Sequence, residues 1–355
     1  MNPEVSVIVP TYNSEAYIVQ ALRSVIEQSY NNWEIIMVDD ASCDSTVDLA
    51  RSFRDKRLKI VENISNRGVS YSRNRGIREA RGKWIALLDS DDWYAPLRLE
   101  KLLSVANQQD ADLIADDLFL IEDGRKRHWS SLLKENETQI KSSVELIDAV
   151  KFVTSDRLAS ITAKRNWSLG YTKPLIKREF LLKNNIWYRE DIKVGEDFIL
   201  YLQCLRRKAK FYLVTSPYYY YRTREVSLST RKPTEYLSES CKITQDFIDL
   251  EVKSQGDCDL REALEQNLSI FKERLAYYLA IENLKAGKPL QVIRQIIESP
   301  YLVSDFSKKL LVFLNKRLAN VPRSQTVKYS YSAKQVDSKP KRIITNINTI
   351  SSEQN

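Results

Sequence analysis

Histidine is almost missing from this chain. His128 is the only one in 355 residues, and it lies in the charged stretch DGRKRHW, which reads as a loop or hairpin. Histidine-built zinc centres and most Ser–His arrangements are thereby set aside, and any acid–base work falls to carboxylates. Glycine is scarce as well, with eight in all. No GxGxxG follows the first apolar run and no GxxxxGK[ST] occurs anywhere, which disfavours a dinucleotide fold and a P-loop ATPase. Phosphates are then expected on a metal and on arginines rather than in a glycine cradle. The four cysteines, Cys43, Cys204, Cys241 and Cys258, have no CxxC spacing and read as reduced thiols of a cytosolic protein. No apolar run approaches the roughly 18 residues of a membrane span. The chain enters the strand-like VSVIVP at once, so no basic-then-apolar leader is expected.

What is present suits a globular protein: 43% hydrophobic and 10% aromatic residues, enough for one large core or two smaller ones. Lys and Arg number 55 against 47 Asp and Glu, a formal net charge of +8. Such a surplus fits an anionic partner, be it nucleotide phosphate, acidic lipid or nucleic acid, and chooses among none of them.

The first third alternates between two periods. VSVIV at 5–9 is a β-branched run stopped by Pro10, and 14–28 carries apolar residues at helical spacing. WEIIMV at 33–38 is a second strand, and Ser45 with Asp48 fits a helix capping box. A third strand is expected at 58–62, a helix at 71–80, a fourth strand at 84–88, a helix from Pro96 and a fifth strand at 112–119. Alternation of this kind indicates parallel βαβ units, whose ligands bind beyond the carboxyl ends of the strands. The polar segments at 10–13, 39–44, 66–70 and 89–92 each follow such an end and should share one rim.

The last of these, LDSDDW at 88–93, sets Asp89, Asp91 and Asp92 in four residues. Mg²⁺ or Mn²⁺ binds through one or two protein carboxylates with substrate phosphates in other positions, and Asp89-x-Asp91 suits that use. An acidic helix start favoured by the macrodipole is the plain alternative, with Asp92 as a cap.

The ordered motifs PTYN at 10–13, VDDAS-x-D-S-T at 38–46, NRGVSYSRNRGI at 66–77, LDSDDW at 88–93 and GEDF at 195–198 resemble family 2 glycosyltransferases over roughly residues 4–230. The resemblance implies a GT-A fold: a Rossmann-like α/β sheet, mainly parallel, with helices on both faces. It further implies an inverting, metal-dependent transfer from a nucleotide-sugar, here expected to be a UDP-sugar, with Mn²⁺ or Mg²⁺ as cofactor. By this likeness Pro10 and Tyr12 would border the base, Asp40 would accept a hydrogen bond from it, and Asn66 and Arg73 would lie near base and diphosphate. Asp89 would reach ribose or metal, and Asp91 the metal. Asp197 would be the catalytic base, with Glu196 orienting it or the acceptor. Arg222 and Ser227 resemble a YR…S ending that folds over the diphosphate. Tyr12 and Asn66 also serve as turn formers, Arg73 and Arg75 as a solvated helix face, and the ED pair as an acidic helix start.

The expected organisation is a catalytic domain over 1–233, divided into a nucleotide-sugar half (1–120) and an acceptor and base half (121–233). A helical region at 234–320 and a disordered tail at 321–355 follow. Four consecutive tyrosines, Tyr218–Tyr221, read as strand, where at most half could line a site and core packing is the default. Gly287 and Pro289 mark a helix stop and restart. The amphipathic stretch 304–319 could rest on an anionic membrane surface or pack on protein. The acceptor is expected to be a glycan or lipid-linked molecule of bacterial surface or exopolysaccharide biosynthesis. The location is expected to be the cytoplasm, with peripheral contact at the inner face of the membrane. Competing readings are a nucleotidyltransferase, which would release pyrophosphate, and a non-enzymatic basic binding module; an acidic rim opposes nucleic acid as partner.

Overall fold

The computed structural model describes residues 2–136, 142–156, 168–223, 233–288, 290–292 and 294. All of them belong to one compact unit; a second unit, 305–355, lies outside the described residues. With it go the expected amphipathic helix at 304–319 and the expected tail.

Four strands build the first half of the sheet: β1 (Val5–Thr11), β2 (Trp33–Asp39), β3 (Leu58–Glu62) and β4 (Trp84–Leu87). They run parallel in the order β3-β2-β1-β4. Every residue of β1, β2 and β4 is buried. Successive side chains on a strand face opposite ways, so burial at every position means both sheet faces are covered. The crossovers are α1 (Ile18–Ile26), α2 (Thr46–Arg51) and α3 (Val69–Glu79), and α4 (Arg98–Gln109) follows β4 and the short β5 (Trp93–Tyr94).

Three local details depart from expectation. β1 continues through Pro10 to Thr11, because β4 pairs only as far as Ile8. The nitrogen of Pro10 falls on the β4 side beyond that last pair, where no ladder bond is lost. The Ser45–Asp48 capping box does not form: Ser45 makes no side-chain cap bond, and Asp44 Oδ1 instead accepts from the Thr46 amide at 3.0 Å. Helix α1 begins at Ile18 rather than Ser14; residues before it form a turn in which the Tyr17 and Ile18 amides both donate to the Ser14 carbonyl.

The second half of the sheet adds β6 (Leu113–Glu122), β7 (Ser130–Ser131), β8 (Val144–Ile147), β9 (Leu175–Lys177) and β10 (Phe211–Thr223). From β4 the order continues β9-β6-β10-β5. The three-residue β9 lies antiparallel between β4 and β6, so the expected fifth strand is one place farther out than simple alternation suggests. Helices α5 (Leu132–Asn136), α6 (Ala149–Thr154), α7 (Arg178–Lys183) and α8 (Glu196–Arg206) occupy the connections.

Two long helices, α9 (Pro233–Lys253) and α10 (Cys258–Lys285), pack on this frame. Ile243, Phe247, Ile248, Leu260, Leu264 and Leu268 belong to the same apolar core as the sheet. Asn267 on α10 donates to the Val153 carbonyl of α6 at 2.8 Å, and Arg206 of α8 pairs with Glu251 of α9. Helix α10 stops as expected: Gly287 takes φ +71°, a left-handed value natural to glycine at a helix end. Among the described residues no helix is long and apolar enough to cross a membrane.

Candidate functional site

The carboxyl ends of β1–β4 carry the polar loops on one rim, as the parallel order requires. Asp40 is buried there and holds the neighbouring loop. Its Oδ1 accepts from Asn63 Nδ2 (2.7 Å) and the Arg67 amide (2.9 Å), and its Oδ2 from the Gly68 amide (2.7 Å). The Gly68–Val69 corner opens α3, and Gly76 lets that helix approach β1 closely. A Cβ at Gly76 would sit 2.5 Å from Ile8 Cγ2. This close approach sets Arg73, one turn earlier, over the strand ends.

Arg73 is 2% exposed and is therefore no solvated helix-face residue. Its guanidinium reaches Asp89 at 2.8 Å, Glu196 at 2.8 Å and Asp197 at 3.1 Å. Lys173 lies beside it, with Nζ 2.9 Å from Asp89 and 2.6 Å from Asp197. Tyr188 donates its hydroxyl to Asp197 Oδ1 at 3.0 Å. Two cations thus join carboxylates from the β4 turn and from the first turn of α8, residues more than a hundred positions apart. Gly195, at φ +82°, starts α8 and turns Glu196 and Asp197 into its first turn, where the helix dipole favours acids.

Electrostatics follow from this geometry. Burial opposes the Asp89 charge, yet Lys173 and Arg73 outweigh it and hold its carboxyl below the usual range. Burial also opposes charge on Lys173, but Asp197 and Asp89 beside it hold its pKa well above that of ordinary lysine. Glu196 is raised, first by burial and then by Asp197. Asp92 is raised strongly by burial and by Asp91 and Asp89. It caps no helix; it accepts from Tyr219 Oη (2.8 Å) and the Arg222 amide (2.7 Å), fastening the acidic turn to β10.

A cavity of about 500 Å³ gathers most of the residues singled out from sequence: Arg73, Asp89, Asp91, Glu196, Asp197 and Arg222 all line it. Pro10, Tyr12, Asp40 and Asn66 are on the adjoining rim, outside its wall. Tyr12 is 50% exposed, and Asn66 is exposed as well. The Ser14 and Ser90 hydroxyls, 2.7 Å apart, tie that rim to the acidic turn. Arg222 is already engaged: it donates to the Asp91 carbonyl (2.7 Å), Gln20 (2.8 Å) and Asp123 (2.8 Å). Ser227 lies outside the described residues.

The three acidic residues of the turn divide the labour. Asp92 is consumed internally, both oxygens of Asp89 accept from cations, and Asp91 is half-buried at the cavity wall. No group of three candidate metal ligands comes together among the described residues. This donor set fits a divalent ion held by one protein carboxylate, most of whose positions are filled by substrate phosphate and water.

Lys173, Arg98, Asn74 and Tyr188 have no role in the sequence reading, and Tyr219 only that of core packing. Lys173 lies just ahead of β9, and Arg98, fully buried against the Asp116 carboxylate at 2.8 Å, donates to the Lys173 backbone carbonyl. The Asn74 side chain pins the backbone of Tyr188, donating to its carbonyl and accepting from its amide at 2.9 Å each, and Tyr188 in turn touches Asp197. Tyr219, one of the four tyrosines, is buried but does more than pack: its hydroxyl also accepts from the Asp89 amide at 3.2 Å. Only the tyrosine run carried a visible signal.

Residues 6–163 match the family described as Glycosyl transferase family 2. The chain is 28% identical over 318 residues to the succinoglycan biosynthesis protein ExoO of Rhizobium meliloti (strain 1021), covering 89% of this chain and 87% of that one. It is 28% identical to the uncharacterized glycosyltransferase EpsJ of Bacillus subtilis (strain 168), with 64% of each covered. Among solved structures, S. aureus TarS 1–349 in complex with UDP-GlcNAc is similar, with TM-score 0.58 and 22% identity over 83% of this chain and 80% of that one. That likeness is one of fold: the sheet and its helical C-terminal part have the GT-A architecture.

Proposed function

We propose that this chain, whose residues 6–163 match Glycosyl transferase family 2, transfers a sugar from a UDP-sugar, with inversion, to a hydroxyl of a glycan or lipid-linked acceptor in bacterial polysaccharide biosynthesis. The single observation that carries this reading is the convergence of Arg73 and Lys173 on Asp89 and Asp197 in one cavity. UDP is favoured because a relative in fold is described in complex with UDP-GlcNAc, and polysaccharide biosynthesis because ExoO is named for it.

The chemistry needs an acceptor hydroxyl to lose its proton while a nucleoside diphosphate departs from the opposite side. Asp197 is the base in this reading, with Tyr188 and the first turn of α8 fixing its direction. Arg73 and Lys173 are the diphosphate's counter-charges. Guanidinium can hold two phosphate oxygens at once, and Arg73 Nε has no partner among the described residues. As the donor's phosphates claim these cations, Asp197 is released from them to accept a proton. A divalent ion, held through Asp91 and the phosphates, would supply further charge neutralisation for the leaving group. Tyr12 and Asn66, both exposed on the rim, remain to meet the base and ribose.

Thermal unfolding with UDP tests this directly. UDP with Mn²⁺ or Mg²⁺ should raise Tm, UDP alone should do so less, and Asp91→Ala should lose the metal-dependent part, about tenfold in affinity. Equal stabilisation with and without metal in both proteins would remove the metal. A nucleotidyltransferase is separated by its product: pyrophosphate from a nucleoside triphosphate instead of UDP from a UDP-sugar.

A further inference from the structure

We propose that the far end of the cavity, between α6, the turn Leu169–Tyr171, α9 and α10, is an acceptor subsite for a neutral pyranoside, with Asp156 and the hydroxyls of α9 binding its hydroxyl groups. This rests on the glycosyltransferase reading and adds to it a place and a chemical class for the second substrate.

The cavity does not end at the carboxylates. Its wall continues past Asp197 to Asp156, Tyr171, Tyr236, Ser240, Thr244 and Phe271. The residue after the proposed base leads there. Phe198 stacks on Phe152 of α6 at 4.8 Å, and Gly170 approaches it so closely that an added Cβ would lie 3.1 Å away. An inverting displacement puts the acceptor opposite the leaving group. The counter-charges for that group are Arg73 and Lys173, so the acceptor's entry is the other side of Asp197, where this second wall stands.

The wall has the chemistry of a sugar site. A pyranoside offers C–H faces to aromatic rings and hydroxyls to hydrogen-bonding groups. Ser240 Oγ donates to the Tyr236 carbonyl (2.9 Å) and Thr244 Oγ1 to the Ser240 carbonyl (2.7 Å), so each hydroxyl spends its proton on the helix and can meet a ligand hydroxyl only as an acceptor, Ser240 in competition with the Tyr236 phenol. Asp156 is 9% exposed, and burial, opposed by Arg274 and Ser168, raises its carboxyl to about 7. Near neutral pH it can therefore donate as well as accept. Arg274 on α10 is 7% exposed, and its Nε has no partner among the described residues. An anionic acceptor would set its charge against Asp197 and would drive Asp156 and Glu196 further toward their protonated forms.

The test uses the full chain loaded with UDP and Mg²⁺, and methyl glucoside, methyl galactoside and methyl N-acetylglucosaminide as probes in saturation-transfer NMR. Wild type should transfer saturation to at least one glycoside. Ser240→Trp should abolish that signal and Asp156→Asn should weaken it about tenfold, the loss of one good hydrogen bond. UDP should still raise Tm in both. Ser269→Trp, adding the same bulk on the exposed face of α10, should keep the signal. A full glycoside signal in both cavity variants, or none from UDP-loaded wild type, overturns the subsite and leaves the donor reading standing. Absence of any UDP stabilisation in wild type overturns both. Asp156→Asn, nearly unchanged in shape, decides alone should the tryptophan variant lose its response to UDP.

Discussion

The two ends of the cavity handle negative charge in opposite ways. At the sheet end, Asp89 and Asp197 share Arg73 and Lys173 at 2.6–3.1 Å, and Asp89 is held charged against its own burial. At the helical end, burial of Asp156 prevails over the opposing Arg274 charge and the Ser168 hydrogen bond, raising its carboxyl toward neutrality. One residue type thus serves two purposes. A charged cluster with exchangeable cations suits a diphosphate; a carboxyl that is partly protonated suits an uncharged sugar. The difference lies in the number of cations delivered to each carboxylate, and the backbone sets that number.

The sharpest way to break this contrast is Asp197→Asn. If Asp197 is the base, transfer should fall by about 10²–10⁴-fold while UDP still raises Tm, since the amide cannot take a proton. Wild-type turnover would remove Asp197 from the chemistry. The opposite end can be read through stability. A carboxyl whose folded pKa is raised from 3.8 to about 7 stabilises the fold only while protonated. Its contribution is complete below about pH 4 and is lost as pH rises to about 7, on the order of 2–4 kcal/mol. Urea unfolding of Asp156→Asn across that window should therefore lack the fall that wild type displays; parallel curves would mean that Asp156 is charged throughout. The smallest effect sharpens the sheet end. Lys173→Met should lower kcat by about 10–100-fold through loss of one charge-assisted contact to the leaving group. Lys173→Arg should restore part of it. A merely structural lysine would lower Tm in both variants without that partial rescue of kcat.

The legible parts of the molecule were those written in one continuous stretch. VSVIV, WEIIMV, LKIVE and WIAL are each rich in apolar residues over the length of a strand, and they form β1–β4 with ends within a few residues of expectation. The order of polar loops after them put Asp89 and Asp91 on one rim, whereas Arg73 and Asp197 were singled out only through the resemblance to a family. The start of α8 was legible too, since Gly195 followed by two acids is a helix opening. By contrast, Lys173 lies in TKPLIKREF, a segment with nothing to distinguish one lysine from the next. Its role depends on β9 entering the sheet between β4 and β6 and on Arg98 gripping its carbonyl from below. Asn74 and the hydroxyl role of Tyr219 were hidden for the same reason, since each acts through a partner more than a hundred residues away, and Tyr188 is held by Asn74 over the same span.

Periodicity, turn residues and the placement of acids at strand ends are properties of neighbours along the chain, so the sequence alone determined the alternating strands and helices, the shared rim and the acids upon it. Which acid keeps a charge and which is buried as a hydrogen-bond acceptor depend on cations and rings carried in from distant segments. Those were decided only when the late strand β9 and the helices α9 and α10 packed against the sheet. Coulomb interaction and desolvation act over a few ångströms of space, whatever the separation in sequence.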